Sequence, residues 1–412
     1  MRFPSSDYDL SRILLWQEAH SLVPIETDPG LRALGLVRLT DLQAESRREK
    51  ISIDFGQALS AREMETALRR IREIVRGTIR ELAPAPRRFF AACTPSTCAA
   101  QSLAQRAWAA YPPTWHIDAL GDDRKPGPNS VTIAVLDSGA DFAHPSLSGL
   151  ILASGHQPLT DHAGHGTHIA STICARPWGP PPPPTYDASH QLNFVPPGVL
   201  TDRPISLANI SQPGRTFEVD WNLYMLALHE QKSNPTDILN LSIGGPASSP
   251  MEQDNLRALL GKNVLITAAA GNDARRVFYP AAYPECLSVA ASTRDTANVP
   301  FAYLPWDRNN DTLNSFERQA AGRPPVDVYA PGRNIAGAEP VTALNAIRPA
   351  GFRSGTSMAT AFATGAFGLR YSRLPNISNR LEDALVRIPK LDILKNGGHH
   401  LVDLAAFEFF KA

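Results

Sequence analysis

The sequence has little of three features that would narrow its class at once: cysteine, net charge and long apolar runs. Four cysteines occur in 412 residues, at spacings that fit no zinc pattern and too few for a disulfide framework. Lys plus Arg and Asp plus Glu both number 40. This balance leaves no excess of positive charge of the kind that binds nucleic acid or an anionic membrane surface. No apolar run approaches the roughly 18 residues that span a bilayer. We therefore expect no metal, no nucleic-acid partner and no membrane partner.

The first residues also lack the pattern of a secretory signal, which has a basic start, an apolar core and a small-residue cleavage site. The apolar cluster Ile13–Trp16 is short and runs directly into Gln17 and Glu18. The expectation is a cytoplasmic protein with reduced thiols, although Cys93 and Cys98 are close enough to pair across a short loop. A secreted protein whose signal lies outside this sequence is the alternative.

The chain divides at about residue 110 into two regions that differ in their pattern of apolar and polar residues. In the first, Tyr8–His20 and residues 61–82 have helical spacing. Ser60 and Glu63 form a capping-box pattern before the second of these. Residues 1–110 are therefore predicted to be a smaller, mostly helical segment of accessory or propeptide-like type.

A linker is predicted at the end of this segment. Pro84–Pro113 is rich in Ala, Pro and Arg and poor in regular pattern. Within this linker, Arg87-Arg88-Phe89-Phe90 is predicted to be exposed and therefore suited to proteolytic processing.

Residues 111–412 are predicted to form a larger α/β domain, because short apolar runs ending in Gly-containing turns alternate with helical patterns. Continuous Val/Ile/Leu runs are typical of strands buried on both faces of a parallel sheet. In such folds the site lies at the carboxyl ends of the strands. The runs are Val131–Leu136, Ile205–Ala208, Ile238–Ile243, Val264–Ala268 and Leu287–Ala291.

Four polar residues follow these runs or begin a helix: Asp137, His165, Asn272 and Ser357. Singly, each has an ordinary explanation, such as a turn or cap for an Asp or Asn and an N-cap for a Ser at a helix start.

A metal site shared by His162, His165 and His168 is the rival explanation for the histidine. Gly164 and Gly166 argue against it, because they indicate that no helix has begun at His162.

As a set, these residues stand in motifs of high specificity. The order Asp, His, Ser along the chain is that of subtilisin and differs from the chymotrypsin and α/β-hydrolase orders. The segments Val-Leu-Asp-Ser-Gly, His-Gly-Thr-His-Ile-Ala, Ala-Ala-Gly-Asn and Ser-Gly-Thr-Ser-Met-Ala-Thr closely resemble the four signatures of the subtilase family. The resemblance runs from about Trp115 to about Leu374.

This resemblance implies a three-layer α/β fold with a central parallel sheet and a serine endopeptidase that acts on proteins or peptides without a cofactor. It implies that Asp137 orients His165, that His165 takes the proton of Ser357, and that Asn272 helps to hold the oxyanion. It also implies walls for the primary specificity pocket, formed by Ser242, Ile243, Gly244, Ala269, Ala270 and Gly271.

Two departures from the family pattern bear on these expectations. Ala361-Phe362 stands where the family usually has Pro-His, which predicts looser packing of the nucleophile helix. Ser146 stands where members commonly carry an acidic calcium ligand, which supports a reaction without metal.

Three alternatives stay open. A catalytically inactive fold that acts as a binding module is the rival function, although the intact set of four residues argues against it. The N-terminal segment is either an inhibitory extension that is removed or a permanent accessory domain. Arg275 and Arg276 either favour an acidic side chain before the cut or are solvated loop residues, which leaves an apolar preference; the second reading is favoured.

Overall fold

The computed structural model describes residues 3–17, 23–43, 49–75, 77–90, 114–118, 125–155, 158–180, 192–212, 215–272, 277–294, 303–305, 326–341 and 349–374. Cys93, Cys98, Arg275 and Arg276 lie outside these ranges, as does most of the predicted linker.

The N-terminal segment contains more strand than helix, so the mostly helical prediction is wrong. Its four strands form an antiparallel sheet in the order β2-β3-β1-β4. They are β1 Tyr8–Gln17, β2 Leu36–Asp41, β3 Lys50–Phe55 and β4 Ile79–Pro86, with helices α1 Val23–Thr27, α2 Pro29–Ala33 and α3 Ala61–Ile74.

Strand β1 replaces the helix predicted at Tyr8–His20, because this strand is covered on both faces. Ile13 and Leu15 are buried in the core under α3, whereas Leu14 is buried in a second core shared with the larger domain. Three consecutive buried apolar residues hide the alternation that normally reveals a strand.

Helix α3 begins where predicted, and its capping box is present. The Glu63 backbone N–H donates to Ser60 Oγ, and the Glu63 carboxylate accepts from the Ser60 backbone. It ends at Ile74, earlier than expected, and Gly77 with φ of 124° leads into strand β4.

The larger domain is built on a parallel sheet, as predicted, and seven of the strands that the structure describes in it are parallel. The order is β15-β14-β13-β11-β6-β8-β7, with β16 also parallel to β14 and β15 antiparallel to it. The strands are β6 Ile133–Asp137, β7 Ile151–Ser154, β8 Ile205–Asn209, β11 Ile238–Leu241, β13 Leu265–Ala269, β14 Leu287–Arg294, β15 Tyr303–Pro305 and β16 Val328–Pro331.

Helices cover both faces of this sheet, which confirms the three-layer prediction. Alternate residues of β6 point to opposite layers: Ile133 and Val135 join one core, and Ala134 and Leu136 join the other. The first core contains residues of a short helix, α4 Trp115–Asp118, and of two longer helices, α5 His165–Cys174 and α8 Thr356–Arg373. The second core contains residues of α6 Trp221–Ser233 and α7 Pro250–Leu260.

A small antiparallel sheet joins the two regions. Strand β5, Phe89–Phe90, lies between β12 Ile243–Gly244 and β10 Arg215–Val219. Strand β9, Ser211–Gln212, pairs with the other side of β10 and forms the edge of this sheet. The remaining strands, β17 Ile335–Ala338 and β18 Ala350–Arg353, form a hairpin. None of the helices in the described ranges is both long and apolar enough to cross a membrane.

The beginning of the predicted linker is therefore ordered and buried rather than exposed. Arg88 and Phe89 are 1% exposed and Phe90 is fully buried. Their partners lie more than 120 positions along the chain, on β10 and β12, which is why local sequence pattern does not reveal them.

Candidate active site

Asp137 and His165 are brought together at the carboxyl end of the parallel sheet. Asp137 is the last residue of β6, and His165 is the first residue of α5. Asp137 Oδ1 lies 2.7 Å from His165 Nδ1 and also accepts from the Ser138 backbone N–H at 2.7 Å. A Cβ on Gly166 would collide with the Gly139 carbonyl oxygen, so this close approach requires glycine.

Asp161 holds the loop before His165, and sequence reasoning missed it. Its carboxylate accepts from the Gly164 N–H at 2.8 Å, from the Thr167 hydroxyl at 2.6 Å and from the Ser138 hydroxyl at 2.8 Å. Burial raises the pKa of Asp161, and the bonds from Thr167 and Ser138 oppose that shift. An acidic residue shortly before a glycine-flanked helix start was the available signal.

Ser357 lies in the first turn of α8 and is fully buried. Its hydroxyl donates to the Ser242 carbonyl at 2.9 Å, and the Ser242 hydroxyl lies 3.0 Å from the Ser357 carbonyl, to which it donates. The N-cap is Gly355, which has no side chain to bond the first backbone N–H groups. This end of the helix therefore keeps donors and a positive dipole beside the serine.

Asn272 is held in place through its side-chain oxygen. Its Oδ1 accepts from the Thr356 backbone N–H at 3.0 Å and lies 3.2 Å from the Thr356 hydroxyl. The same hydroxyl accepts from the Gly271 N–H at 3.1 Å. Thr356 thus ties the end of β13 to the start of α8 and orients the Asn272 amide.

The predicted pocket walls lie at the carboxyl ends of two neighbouring parallel strands, β11 and β13. Ile243 and Gly244 form β12, directly after Ser242, and Ala269 ends β13, directly before Ala270 and Gly271. All six residues are buried. Phe278 packs on Ala269 and beneath Gly271. The role of these residues in selecting a side chain stays a prediction, and the proposed contribution of Arg275 and Arg276 falls outside the described ranges.

The three histidines proposed as a rival metal site do not converge. His162 is exposed, and His165 faces Asp137. The fully buried His168 donates from Nε2 to the Ile335 carbonyl at 3.0 Å, and burial lowers its pKa. In the part of the chain that the structure describes, no three His, Cys, Asp or Glu residues are grouped to hold a metal ion.

The two departures from the family pattern are accommodated by packing. Phe362 is fully buried, with its ring 6.4 Å from that of His116, so its side chain fills part of the core at this position. Ser146 is also fully buried, and its hydroxyl lies 2.8 Å from His144 Nδ1.

Strand β5 of the N-terminal region lies directly beside these residues. Phe90 pairs with Ile243, and its ring centroid lies 5.8 Å from that of His165. Phe89 pairs with Gly244 on one side and Glu218 on the other. The chain's own backbone therefore occupies the groove between β12 and β10.

An Asp, His and Ser in this chain order, at the carboxyl edge of a parallel sheet between helices, define the subtilisin class of fold and site. A sequence model of the subtilase family matches residues 128–388. The chain belongs to the subtilase family.

Curated relatives agree with this assignment. A subtilisin-like protease of Coccidioides posadasii is 29% identical over 265 residues, which cover 61% of this chain and 56% of that protein. Subtilisin E of Bacillus subtilis is 28% identical over 260 residues, which cover 61% and 58%. The chain thus spans less than two thirds of the length of these relatives.

The fold is also found in fervidolysin from Fervidobacterium pennivorans, a keratinolytic enzyme related to subtilisin. The two structures superpose with a TM-score of 0.65 at 19% sequence identity, covering 98% of this chain and 62% of that one.

Proposed function

We propose that this protein is a serine endopeptidase that hydrolyses peptide bonds through Asp137, His165 and Ser357. The observation that carries the proposal is the 2.7 Å contact between two buried side chains, Asp137 and His165, and it is supported by a buried serine at the start of α8. An imidazole fixed by a carboxylate in this way is suited to take a proton from a hydroxyl.

The reaction has two displacement steps. Ser357 turns its hydroxyl from Ser242 toward His165, gives its proton to the imidazole and attacks the carbonyl carbon. Asn272 and the Ser357 backbone N–H stabilise the negative charge that develops on the carbonyl oxygen. The C–N bond then breaks, the leaving amine takes the proton from His165, and an acyl-enzyme remains. Water repeats the sequence, releasing the acid and regenerating Ser357.

A fluorophosphonate probe and casein hydrolysis test this proposal together. We expect the probe to label wild type on Ser357 and the wild type to hydrolyse casein, whereas Ser357→Ala does neither. A binding module without activity is the rival, and it predicts no labelling and no hydrolysis in either protein.

We also propose that the N-terminal segment restrains the enzyme by occupying its substrate groove. The supporting observation is the pairing of Phe90 with Ile243 and of Phe89 with Glu218, the arrangement in which an extended substrate adds a strand to a sheet edge. If the segment is also removed by self-processing, wild type shortens on incubation and Ser357→Ala stays whole. Intact masses that remain full length in both would leave a permanent accessory domain.

A cytoplasmic location is proposed from the low cysteine content. Cys174 and Cys286 are buried free thiols, which fits a reducing compartment. Recovery of the untagged protein from the periplasmic or extracellular fraction of its own cell would contradict it.

A further inference from the structure

The N-terminal segment and the larger domain share a fully enclosed ion pair. Arg88 Nε lies 3.0 Å from Glu252 Oε1, and Arg88 Nη2 lies 2.5 Å from Glu252 Oε2. Both side chains are 0% exposed. Burial works against the charged guanidinium, and Glu252 outweighs that effect and raises the pKa of Arg88. This bidentate geometry fits Arg and no other side chain.

Glu252 is positioned by its own domain, independently of Arg88. It is the third residue of α7, where its N–H donates to the N-cap Ser249 at 3.3 Å. The positive end of the helix dipole favours a carboxylate at this position. The Tyr283 hydroxyl donates to Glu252 Oε2 at 2.9 Å, and the Trp221 ring lies 5.5 Å from Arg88 Cζ. Together they form an aromatic pocket with a carboxylate at its base.

The register of β5 fixes which position of a bound peptide reaches this pocket. Phe90 pairs with Ile243, and the Val219 N–H donates to the Arg88 carbonyl at 3.0 Å. In the same antiparallel register, the next residue of a bound peptide falls opposite Ser242, whose carbonyl accepts from Ser357. The peptide residue opposite Ser242 is therefore the one whose carbonyl is attacked, which makes it the first residue before the cleaved bond. Counting back along β5, the position of Phe90 is the second residue before that bond, and the position of Arg88 is the fourth.

We propose that Glu252 makes this enzyme selective for substrates with Arg at the fourth residue before the cleaved bond. The proposal rests on the peptidase function proposed above and names the substrate class of that site. An apolar residue in the pocket leaves a buried carboxylate without a counter-charge. Lys supplies the charge but not the paired planar contacts.

The test uses full-length chains that carry Arg88→Ala, since this change removes the segment's own arginine from the pocket. Arg88→Ala is compared with Arg88→Ala/Glu252→Leu. The matched control is Arg88→Ala/Asp202→Asn, because Asp202 pairs with Arg176 on the surface of the larger domain, past the end of α5 that is opposite His165. Each protein digests a denatured peptide library, and mass spectrometry identifies the fourth residue before every cut. Fluorophosphonate labelling of Ser357 is measured in parallel.

We expect Arg at that position to be enriched at least tenfold over Leu with Arg88→Ala and with the Asp202 control. The enrichment should disappear with Glu252→Leu. Cleavage without enrichment of Arg, or enrichment that survives Glu252→Leu, overturns the subsite. Loss of labelling and of all cleavage in wild type and in every variant, while circular dichroism shows folded chains, instead overturns the peptidase proposal itself, so the two failures are distinguishable.

Discussion

The ring of Phe90 lies 5.8 Å from the ring of His165, measured between centroids, and this contact places the N-terminal segment against the proposed catalytic base. Because both side chains are buried, the contact excludes solvent and substrate from one wall of the groove. The access of substrate to Ser357 should therefore depend on how firmly Phe90 is held against His165.

Phe90→Ala is expected to open the groove, because it removes the buried ring that anchors strand β5. Fluorophosphonate labelling of Ser357 should be at least tenfold faster than in wild type. Phe142→Ala is the matched control, since Phe142 is 57% exposed and lies outside β5. Equal labelling rates in wild type and Phe90→Ala would argue against an occupied groove.

The proposed triad should behave as a unit. Ser357→Ala and His165→Ala should each lower kcat for peptide hydrolysis by about 10⁶, the loss measured on subtilisin, and the double variant should cost little more. Circular dichroism and thermal unfolding check that the fold is kept. Independent, additive losses would contradict a shared proton-transfer step between the two residues.

Asn272→Ala removes the proposed side-chain donor to the oxyanion. We expect kcat to fall by about 10² to 10³ with little change in KM, the loss measured for the equivalent donor in subtilisin. Thr356→Val should give a smaller loss, because it removes the hydroxyl near Asn272 Oδ1 but keeps the backbone N–H that bonds to it. A KM effect alone would assign Asn272 to substrate binding instead.

Glu81 should make the attachment of the N-terminal segment dependent on pH. This residue of β4 accepts from the Ser249 hydroxyl and the Met251 N–H, each at 2.8 Å, at the start of α7. Burial raises its pKa to about 7, from an ordinary value of 4.5; the two hydrogen bonds and Lys50 oppose this, and Glu252 adds to it.

A raised pKa means that the docked state binds the proton more tightly than the undocked state. The stabilising contribution is therefore complete below about pH 4.5 and is lost as pH rises toward 7. Glu81→Gln keeps an uncharged acceptor and should lack this loss. The difference in Tm between the variant and wild type should grow in favour of the variant from pH 5 to pH 8. A constant difference across that range would contradict the prediction.

Peptide hydrolysis is expected to continue in EDTA, because the proposed reaction uses side chains and backbone N–H groups alone. Ser146, at the position where the family commonly has a calcium ligand, is buried against His144. Activity is measured after dialysis against EDTA and after addition of zinc or calcium. Abolition by EDTA with rescue by zinc would refute the prediction, whereas a calcium effect on Tm alone would not.

The sequence by itself was sufficient to predict the α/β fold of the larger domain and to name four candidate site residues. Continuous apolar runs such as Ile133–Leu136 predict buried parallel strands, and the carboxyl ends of such strands meet at one edge of the sheet. That geometry explains why Asp137 and His165 meet and why Ser242 reaches Ser357. The glycines beside His165 and Asn272 are local requirements of tight backbone approach, so they too are visible in sequence.

Only the tertiary structure decided what happens around residues 8–16 and 87–90. Leu14 and Arg88 are buried by partners far along the chain, in the second core and at Glu252, and no local periodicity records such partners. Contacts at this separation change an apparent helix into a strand and an apparent linker into the occupant of a groove. The free energy of those contacts arises from burial and charge pairing between distant segments, which is why sequence pattern alone predicted the site but not the segment that covers it.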